Sequence, residues 1–548
     1  MAEGHVQKLA PHMMVGLGGP RLTDDERAIL LSCRFPGVIL FDRNVQDARQ
    51  LMELARETRK LFLESHGYIP LIAADHEGGI ISVLGRAIGV PPTQMAAART
   101  GDIRCCERLF AENARRLRAC GVNMLLGPVA DINSEHRNPV IGTRSFGEDT
   151  KVVSSFVSAA VSAARTGGVL TCIKHFPGHG SSCIDSHLAL PLLGATLEQL
   201  KKKDILPFAA GLKAGAEAVM VGHIAPLDRN LPASLDPEII HGLLRKELGF
   251  EGVVITDALE MEGVKTSGPC AADAACGAPD ETQRASERIE PAKRALGEIC
   301  KRALEAGNDM LLFSKPVTEV MGGLRSIENP APADTFWNDG SSDFLKSSKV
   351  RIEGLLRIAS QKDREFELPG DPGIYGEIAE RSIRVIHGSE ALLPLDPEKG
   401  FSAVFYSERG EFDRFPTKSF VTRVLQGMEA SGEKGANAGA SVRFGKYALR
   451  PYGAIPNAAA GLEALVFFRG TPGAAISAPS ATGDCVFLMN RRPLSEEVVK
   501  EICSGVRVVV VAGWPYAADF ISPWPHVLVT YGMYDAAADA VRRRFLAK

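Results

Sequence analysis

Three histidines, an aspartate and two glycine-containing turns crowd into IKHFPGHGSSCIDSH, residues Ile173 to His187. Such a set can bind a metal, cradle a phosphate or move protons. His175 and His179 stand four apart, as in a helical zinc pair, but Pro177-Gly178 lies between them and breaks the helical geometry that gives the spacing its meaning. The Walker pattern of Gly, Lys and Ser/Thr is absent, which argues against a phosphate loop. Acid–base chemistry remains. Asp185 and His187 flank Ser186, and in an extended chain residues two apart point the same way. The carboxylate can then accept the proton of one imidazole nitrogen while the other nitrogen faces a substrate. The plain structural alternative is a loop aspartate beside an exposed histidine.

Other polar residues stand at the ends of apolar runs. Asp257 closes GVVIT in GVVITDALEM, where it could equally cap the following helix. Asp75 follows IPLIAA and precedes a Gly-Gly pair that permits a tight turn. Arg144 lies in NPVIGTRSFGED, and its structural alternative is a salt bridge to Asp131 or Glu148. Asp131, Lys174, His175 and His223 occupy similar run-end positions.

The elements that must position them are eight short apolar runs between residue 12 and about 314: HMMVGL, GVILF, IPLIAAD, VNMLLGPVADI, VLTCIKHF, AEAVMVGHI, GVVITDA and DMLLFS. Amphipathic helical stretches separate most of them, among them TDDERAILLS, opened by a capping-box pair Thr23 and Glu26, then DARQLMELARETRKLF, LEQLKKKDILPFAAGLKAG and PEIIHGLLRKELGF. This alternation predicts parallel strands joined by crossovers, and eight such units close into a TIM (β/α)8-type barrel whose strand C-termini share one face. A doubly wound sheet is the alternative, but no Gly-x-Gly-x-x-Gly opens a helix after the first strand. The barrel is expected over 1–340, with an insertion at about 265–288, and a linker and helix over 341–374. A smaller layered α/β sandwich is expected over 375–548, with strands at SAVFYS, ALVFFRG, DCVFLMN, VRVVVVAGW and HVLVTYG and helices at LSEEVVKEIC and AAADAVRRRFL.

Bulk properties narrow the function classes. The 548 residues carry 63 Lys plus Arg against 66 Asp plus Glu, a balance that gives no reason to expect nucleic acid or an anionic membrane as partner. Hydrophobic residues at 45% and charged ones at 24% fit an ordinary globular chain with a sizeable core. No run reaches the ~18 apolar residues that span a bilayer, and the first twenty residues lack the basic-then-apolar order of a secretion signal. The 11 cysteines have no metal-type spacing and read as reduced thiols, so a cytoplasmic location is expected.

The combination of KHFPGHG (Lys174 to Gly180) with DSH (Asp185 to His187) resembles glycoside hydrolase family 3, in its β-N-acetylglucosaminidase branch. The similarity extends through GVILFDRN, ADHEGG, GPVADI, NPVIGTRSF and GVVITDALEM, and more loosely through AERSIRVIHGSEALLPL at the entrance to the second domain. The sequence departs from the family pattern DQEGGRV at His76 and Ile80. The resemblance implies that Asp257 is the nucleophile and His187 the general acid/base, with Asp185 as its partner. It further implies that Asp75, Arg144, Lys174 and His175 hold the sugar, and that neither a metal nor an organic cofactor is needed. The expected activity is retaining, exo-acting hydrolysis of non-reducing β-linked N-acetylglucosamine, with a small carbohydrate substrate such as a muropeptide. Rivals are a β-N-acetylglucosaminide phosphorylase using the same residues, a family 3 β-glucosidase or β-xylosidase, and a non-catalytic sugar-binding protein.

Overall fold

The eight apolar runs form eight parallel strands, each short and buried on both faces. They are β1 (Met13–Gly16), β2 (Gly37–Leu40), β3 (Leu71–Ala74), β4 (Met124–Leu125), β5 (Leu170–Phe176), β6 (Ala218–Val221), β7 (Val253–Ala258) and β8 (Met310–Pro316). Each pairs with its neighbour in sequence, and β8 pairs with β1, so the sheet closes. The (β/α)8 barrel is therefore the fold of this part of the chain, and the doubly wound alternative is set aside. The protein is described here from a computed structural model, which covers residues 7–186, 189–265, 296–325, 342–362 and 370–387. Further on it covers 401–408, 442–444, 447–451, 462–469, 485–489, 499–500, 508–512, 527–532 and 534–546.

Local sequence explains the connecting helices. Thr23 and Glu26 form the expected capping box at the head of helix Asp24–Ser32. Asp47 caps Ala48–His66, and Gly67, at φ 78°, ends it in the left-handed conformation that a glycine adopts without a Cβ clash. The stretch read as one helix after residue 196 is two, Leu197–Lys202 and Ile205–Lys213. Pro207 falls in the first turn of the second, where its missing N–H leaves no intrahelical bond unmade.

Inside the barrel, Met14, Ile39, Leu71, Met124, Leu170, Met220, Ile255 and Leu312 form one apolar cluster with Ile352, Leu355, Leu356 and Ala359 of helix Ser342–Gln361. That helix lies across the N-terminal ends of the strands. Its Arg351 reaches Asp309, just before β8, at 2.8 Å, and Lys362 beyond its end reaches Glu217, just before β6, at 3.1 Å. One mouth of the barrel is thereby sealed, and the polar strand ends crowd the other.

Two of the register shifts at the open mouth bear on the candidate residues. Between Ile173 and Phe176, β5 takes three residue steps, whereas its partner β6 takes two between Val219 and Val221. Between Ile255 and Ala258, β7 likewise takes three steps against two on β8, from Met310 to Leu312. Each extra residue is a bulge, which re-aims side chains that a regular pleat would send to opposite faces. The bulges fall on Lys174–His175 and on Thr256–Asp257.

Of the remaining described strands, His76–Gly78 and Ile81–Ser82 pair as a two-stranded antiparallel sheet, and the other eight form a mixed sheet. Phe401–Glu408, Leu462–Arg469, Cys485–Leu488, Val508–Val511 and Val527–Val529 are the five expected strands. Arg384–His387, Val442–Phe444 and Tyr447–Pro451 join them without having been foreseen. Helix Asp535–Leu546 matches AAADAVRRRFL. Of the insertion expected at about 265–288, only Lys265 is described, and most of LSEEVVKEIC and of the linker lies outside the described residues. Arg108 of helix Ile103–Ala119 reaches both Asp371 and Glu377 at 2.6 Å, joining the barrel to helix Ile374–Ser382.

Candidate active site

Lys174 organises the open mouth. Its Nζ lies 2.5 Å from both Asp75 Oδ1 and Glu77 Oε1, and its side chain is 2% exposed. Asp75 and Glu77 are two apart on an extended segment, so they present their carboxylates to the same side. Arg144 grips Glu77 with two parallel hydrogen bonds, Nε to Oε2 at 2.8 Å and a terminal nitrogen to Oε1 at 2.9 Å, the bidentate geometry a guanidinium favours. Its partner is therefore Glu77, not the Asp131 or Glu148 of the structural alternative. Glu148 pairs instead with Arg99, at 3.4 Å.

Burial acts against every charge in this group, and the neighbours outweigh it. Desolvation works to raise the Glu77 pKa, yet Arg144 and Lys174 bring it down to about 2. For Lys174 and Arg144 desolvation disfavours the cation, but the facing carboxylates, Asp75 and Glu77 for the lysine and chiefly Glu77 for the arginine, raise both pKa values above the ordinary. A buried ionic group of this kind persists only when each member is paired.

Asp131 anchors the second half of the mouth. It is fully buried and accepts His175 Nδ1 at 2.7 Å, the His175 backbone N–H at 3.2 Å and the His179 backbone N–H at 2.7 Å. Burial opposes its charge, but His175 and these hydrogen bonds hold its pKa below normal. On the other side of the ring, an Arg144 terminal nitrogen lies 3.2 Å from His175 Nε2. A guanidinium can only donate, so Nε2 must accept and Nδ1 must carry the hydrogen toward Asp131. Both ring nitrogens are thus committed to protein partners. Among the described residues no three His, Cys, Asp or Glu side chains converge as a metal site.

The glycines of KHFPGHG have steric reasons. Gly178 takes φ 127°, and a Cβ on Gly180 would overlap the Ile132 carbonyl that its backbone passes. The segment thus folds around the loop that carries Asp131.

Asp257 sits at the β7 bulge, half-buried, with its Oδ1 accepting the Ala258 N–H at 2.7 Å. The inward thiol of Cys172 ties it to the group: burial raises that pKa, Lys174 opposes, and Asp75 and Asp257 add to the rise. Both carboxylates therefore lie within electrostatic reach of one side chain inside the barrel. His223, another run-end residue, is structural. Its Nε2 lies 3.0 Å from the Ala258 carbonyl and its Nδ1 2.7 Å from Ser234 Oγ, so it braces the chain just past Asp257. Asp185 is half-buried, and its carbonyl accepts the Ala189 N–H at 3.3 Å. His187 lies outside the described residues.

With a β/α barrel carrying these residues on one mouth, comparison with known proteins decides the family. Residues 5–330 match the N-terminal domain of glycosyl hydrolase family 3. The chain belongs to that family. It is 37% identical over 325 residues to a beta-hexosaminidase of Chromobacterium violaceum, covering 58% of this chain and 82% of that protein. It is 36% identical over 248 residues to beta-hexosaminidase A of Pseudoalteromonas piscicida, covering 42% of this chain and 41% of the relative, so the match spans less than half of that protein's length. A glycoside hydrolase family 3 beta-N-acetylglucosaminidase from Paenibacillus sp. str. FPU-7 shares the fold, with a TM-score of 0.71 over 98% of this chain and 96% of that one, at 22% identity.

In this family 3 chain, Asp75, Arg144, Lys174 and His175 form one connected group, with Asp257 within its field. One member escaped the sequence reading. Glu77 was passed over inside DHEGG, although its spacing of two from Asp75 on an extended segment was the available signal. Asp131 was placed at a run end with the others, but nothing in its neighbours marks it as the holder of His175 and His179.

Glu77 generates a prediction. Its folded pKa lies below the unfolded value of 4.5, so its charge contributes stability that is fully present above 4.5 and is lost as pH falls toward 2. Glu77→Gln should cost about 3–5 kcal/mol at neutral pH by leaving Lys174 and Arg144 under-compensated. Urea denaturation of both proteins across pH should show the gap closing below pH 4.5. A gap independent of pH would mean that the Glu77 charge is not what the substitution removes.

Proposed function

We propose that this protein is a retaining, exo-acting β-N-acetylglucosaminidase. Asp257 is the nucleophile, His187 the general acid/base and Asp185 the partner that orients the imidazole. The observation that carries the reading is the convergence of the Asp75, Glu77, Lys174, Arg144 and His175 group with Asp257 at one mouth of a family 3 barrel, in a chain whose relatives are named beta-hexosaminidases.

The chemistry suits the groups. A Asp257 carboxylate oxygen attacks the anomeric carbon as the glycosidic C–O bond breaks, and His187 gives its proton to the departing oxygen. Water then attacks the glycosyl-enzyme, His187 takes a proton from it, and Asp257 leaves as carboxylate. Two displacements at one carbon retain its configuration. Four carboxylates, Asp75, Glu77, Asp131 and Asp257, face two cations, Lys174 and Arg144, so the mouth carries formal negative charge suited to an oxocarbenium-like transition state. Asp75, with 21% of its side chain exposed, offers an acceptor to sugar hydroxyls and Arg144 a donor, while His175, with both ring nitrogens taken, holds Arg144 in place beside them.

The natural substrate we infer is a muropeptide, turned over in the cytoplasm. Digestion of a defined muropeptide with and without inorganic phosphate, followed by mass analysis, tests both substrate and reaction. Free N-acetylglucosamine in both cases supports hydrolysis. A sugar 1-phosphate formed only with phosphate would make the enzyme a phosphorylase.

Asp257→Asn should leave the protein folded, with activity lower by several orders of magnitude, roughly what covalent catalysis supplies. A 2-fluoro sugar with a good leaving group should label Asp257 in the wild type, as peptide mass mapping would show. A label on another carboxylate would end the assignment.

His187→Ala should depend on the leaving group. A nitrophenolate departs with little protonation, whereas a sugar alkoxide needs a proton in the transition state. Cleavage of a disaccharide should therefore fall further than glycosylation from a nitrophenyl glycoside, by a margin approaching ~10²–10⁴-fold. The glycosyl-enzyme should accumulate as a burst, and azide, which needs no deprotonation, should restore turnover. Equal losses with no burst and no azide effect would remove His187 from proton transfer.

A further inference from the structure

Ser186 stands between the two residues proposed to move the proton, yet its side chain is 2% exposed and faces the protein. Two separate elements hold it. Its hydroxyl oxygen lies 3.1 Å from Nε2 of His179. Its carbonyl accepts the N–H of Gly263, also at 3.1 Å. Gly263 follows β7, the strand that carries Asp257, and a Cβ there would come within 2.8 Å of the Ser186 carbonyl and 3.1 Å of the Ala189 carbonyl. The approach is one that only glycine permits.

His179 is itself immobilised. It is 1% exposed, its N–H is bound by Asp131 and its carbonyl accepts Asn138 Nδ2 at 2.8 Å. Burial lowers its pKa to about 4, so the ring is neutral and directional near neutral pH. Its other nitrogen, Nδ1, has no hydrogen-bond partner among the described residues. A buried, half-satisfied imidazole is costly, and such a group calls for a reason to be where it is. Among the described residues, the one hydrogen bond of the ring is to the Ser186 hydroxyl.

We propose that His179 and Ser186 are positioning residues for proton transfer, resting on the reading above that His187 is the general acid/base. The His179 bond fixes the Ser186 side chain and the Gly263 bond fixes its carbonyl. Together they fix Ser186, the residue covalently joined to Asp185 and to residue 187, relative to β7. Because Asp131 holds both His175 and His179, the sugar-facing group and the proton-transfer segment share one anchor.

The test uses the full-length protein and a series of aryl N-acetyl-β-glucosaminides of rising leaving-group pKa, plus a disaccharide. Variants are Ser186→Ala, His179→Phe, their double and His187→Ala as reference, each checked by circular dichroism. Ser186→Ala should leave kcat/KM for the best leaving group within about 3-fold of wild type. It should lose about 10-fold or more on the disaccharide, a fraction of the full acid–base contribution. The double variant should lose no more than the worse single one, since both remove one bond. Should His179→Phe fail to fold, Ser186→Ala carries the comparison alone. If His187→Ala shows the graded loss while Ser186→Ala loses activity equally on all substrates, or loses none, the positioning role is overturned and the acid/base assignment stands. If His187→Ala itself shows no gradient, the acid/base reading falls and this inference falls with it.

Discussion

The site depends on placing a lysine ammonium and an arginine guanidinium in a nearly dry barrel mouth together with enough carboxylate to keep them charged. Lys174 is 2% exposed and touches two carboxylates, while Arg144 closes on one of them from the other side. Each ion removed from water costs several kcal/mol, and attraction offsets that only with close, hydrogen-bonded partners. The arrangement is therefore all-or-none. Glu77 is the shared member, bound by both cations, and its depressed pKa is the thermodynamic mark of that position.

The backbone is bent to serve this group. In a regular strand Lys174 and His175 would face opposite ways, one into the barrel and one toward the helices. The β5 bulge turns both to the mouth, where Lys174 meets Asp75 and Glu77 while His175 meets Asp131 and Arg144. A matching bulge on β7 sets Asp257. The opposite end can be sealed by apolar packing against helix Ser342–Gln361, because no chemistry is asked of it.

Around the charged group lies hydrogen-bonded scaffolding. Asp131, His179, Asn138 and Ser186 link the strand ends to the loops through short hydrogen bonds at buried positions. Such bonds gain directionality where water is excluded. His223 does the same beneath Asp257, through Ser234 and the Ala258 carbonyl. A polar residue at a strand end in this barrel thus has one of two tasks, to face the mouth or to hold a residue that does.

Periodicity and spacing alone determined the barrel, because eight buried parallel strands demand eight continuous apolar runs and the crossovers between them demand amphipathic helices. The five strands of the second sheet that lie in sustained apolar runs were legible from those runs. Arg384–His387, Val442–Phe444 and Tyr447–Pro451 were not, because they lack a sustained apolar run. The gathering of Asp75, Arg144, Lys174 and His175 was legible too, since residues that follow barrel strands share one face. Pairing was not. Arg144 could reach Glu148 in sequence, only four residues away, but closure of the barrel brings Glu77 to it from 67 positions off, with Lys174 alongside. Nor could spacing reveal that Lys174 and His175 face one way, because the bulge that turns them exists only in the register of β5 against β6. Local pattern fixes which residues reach the mouth. Which charge meets which is set by distances between segments far apart in the chain, and only the closed structure determines those.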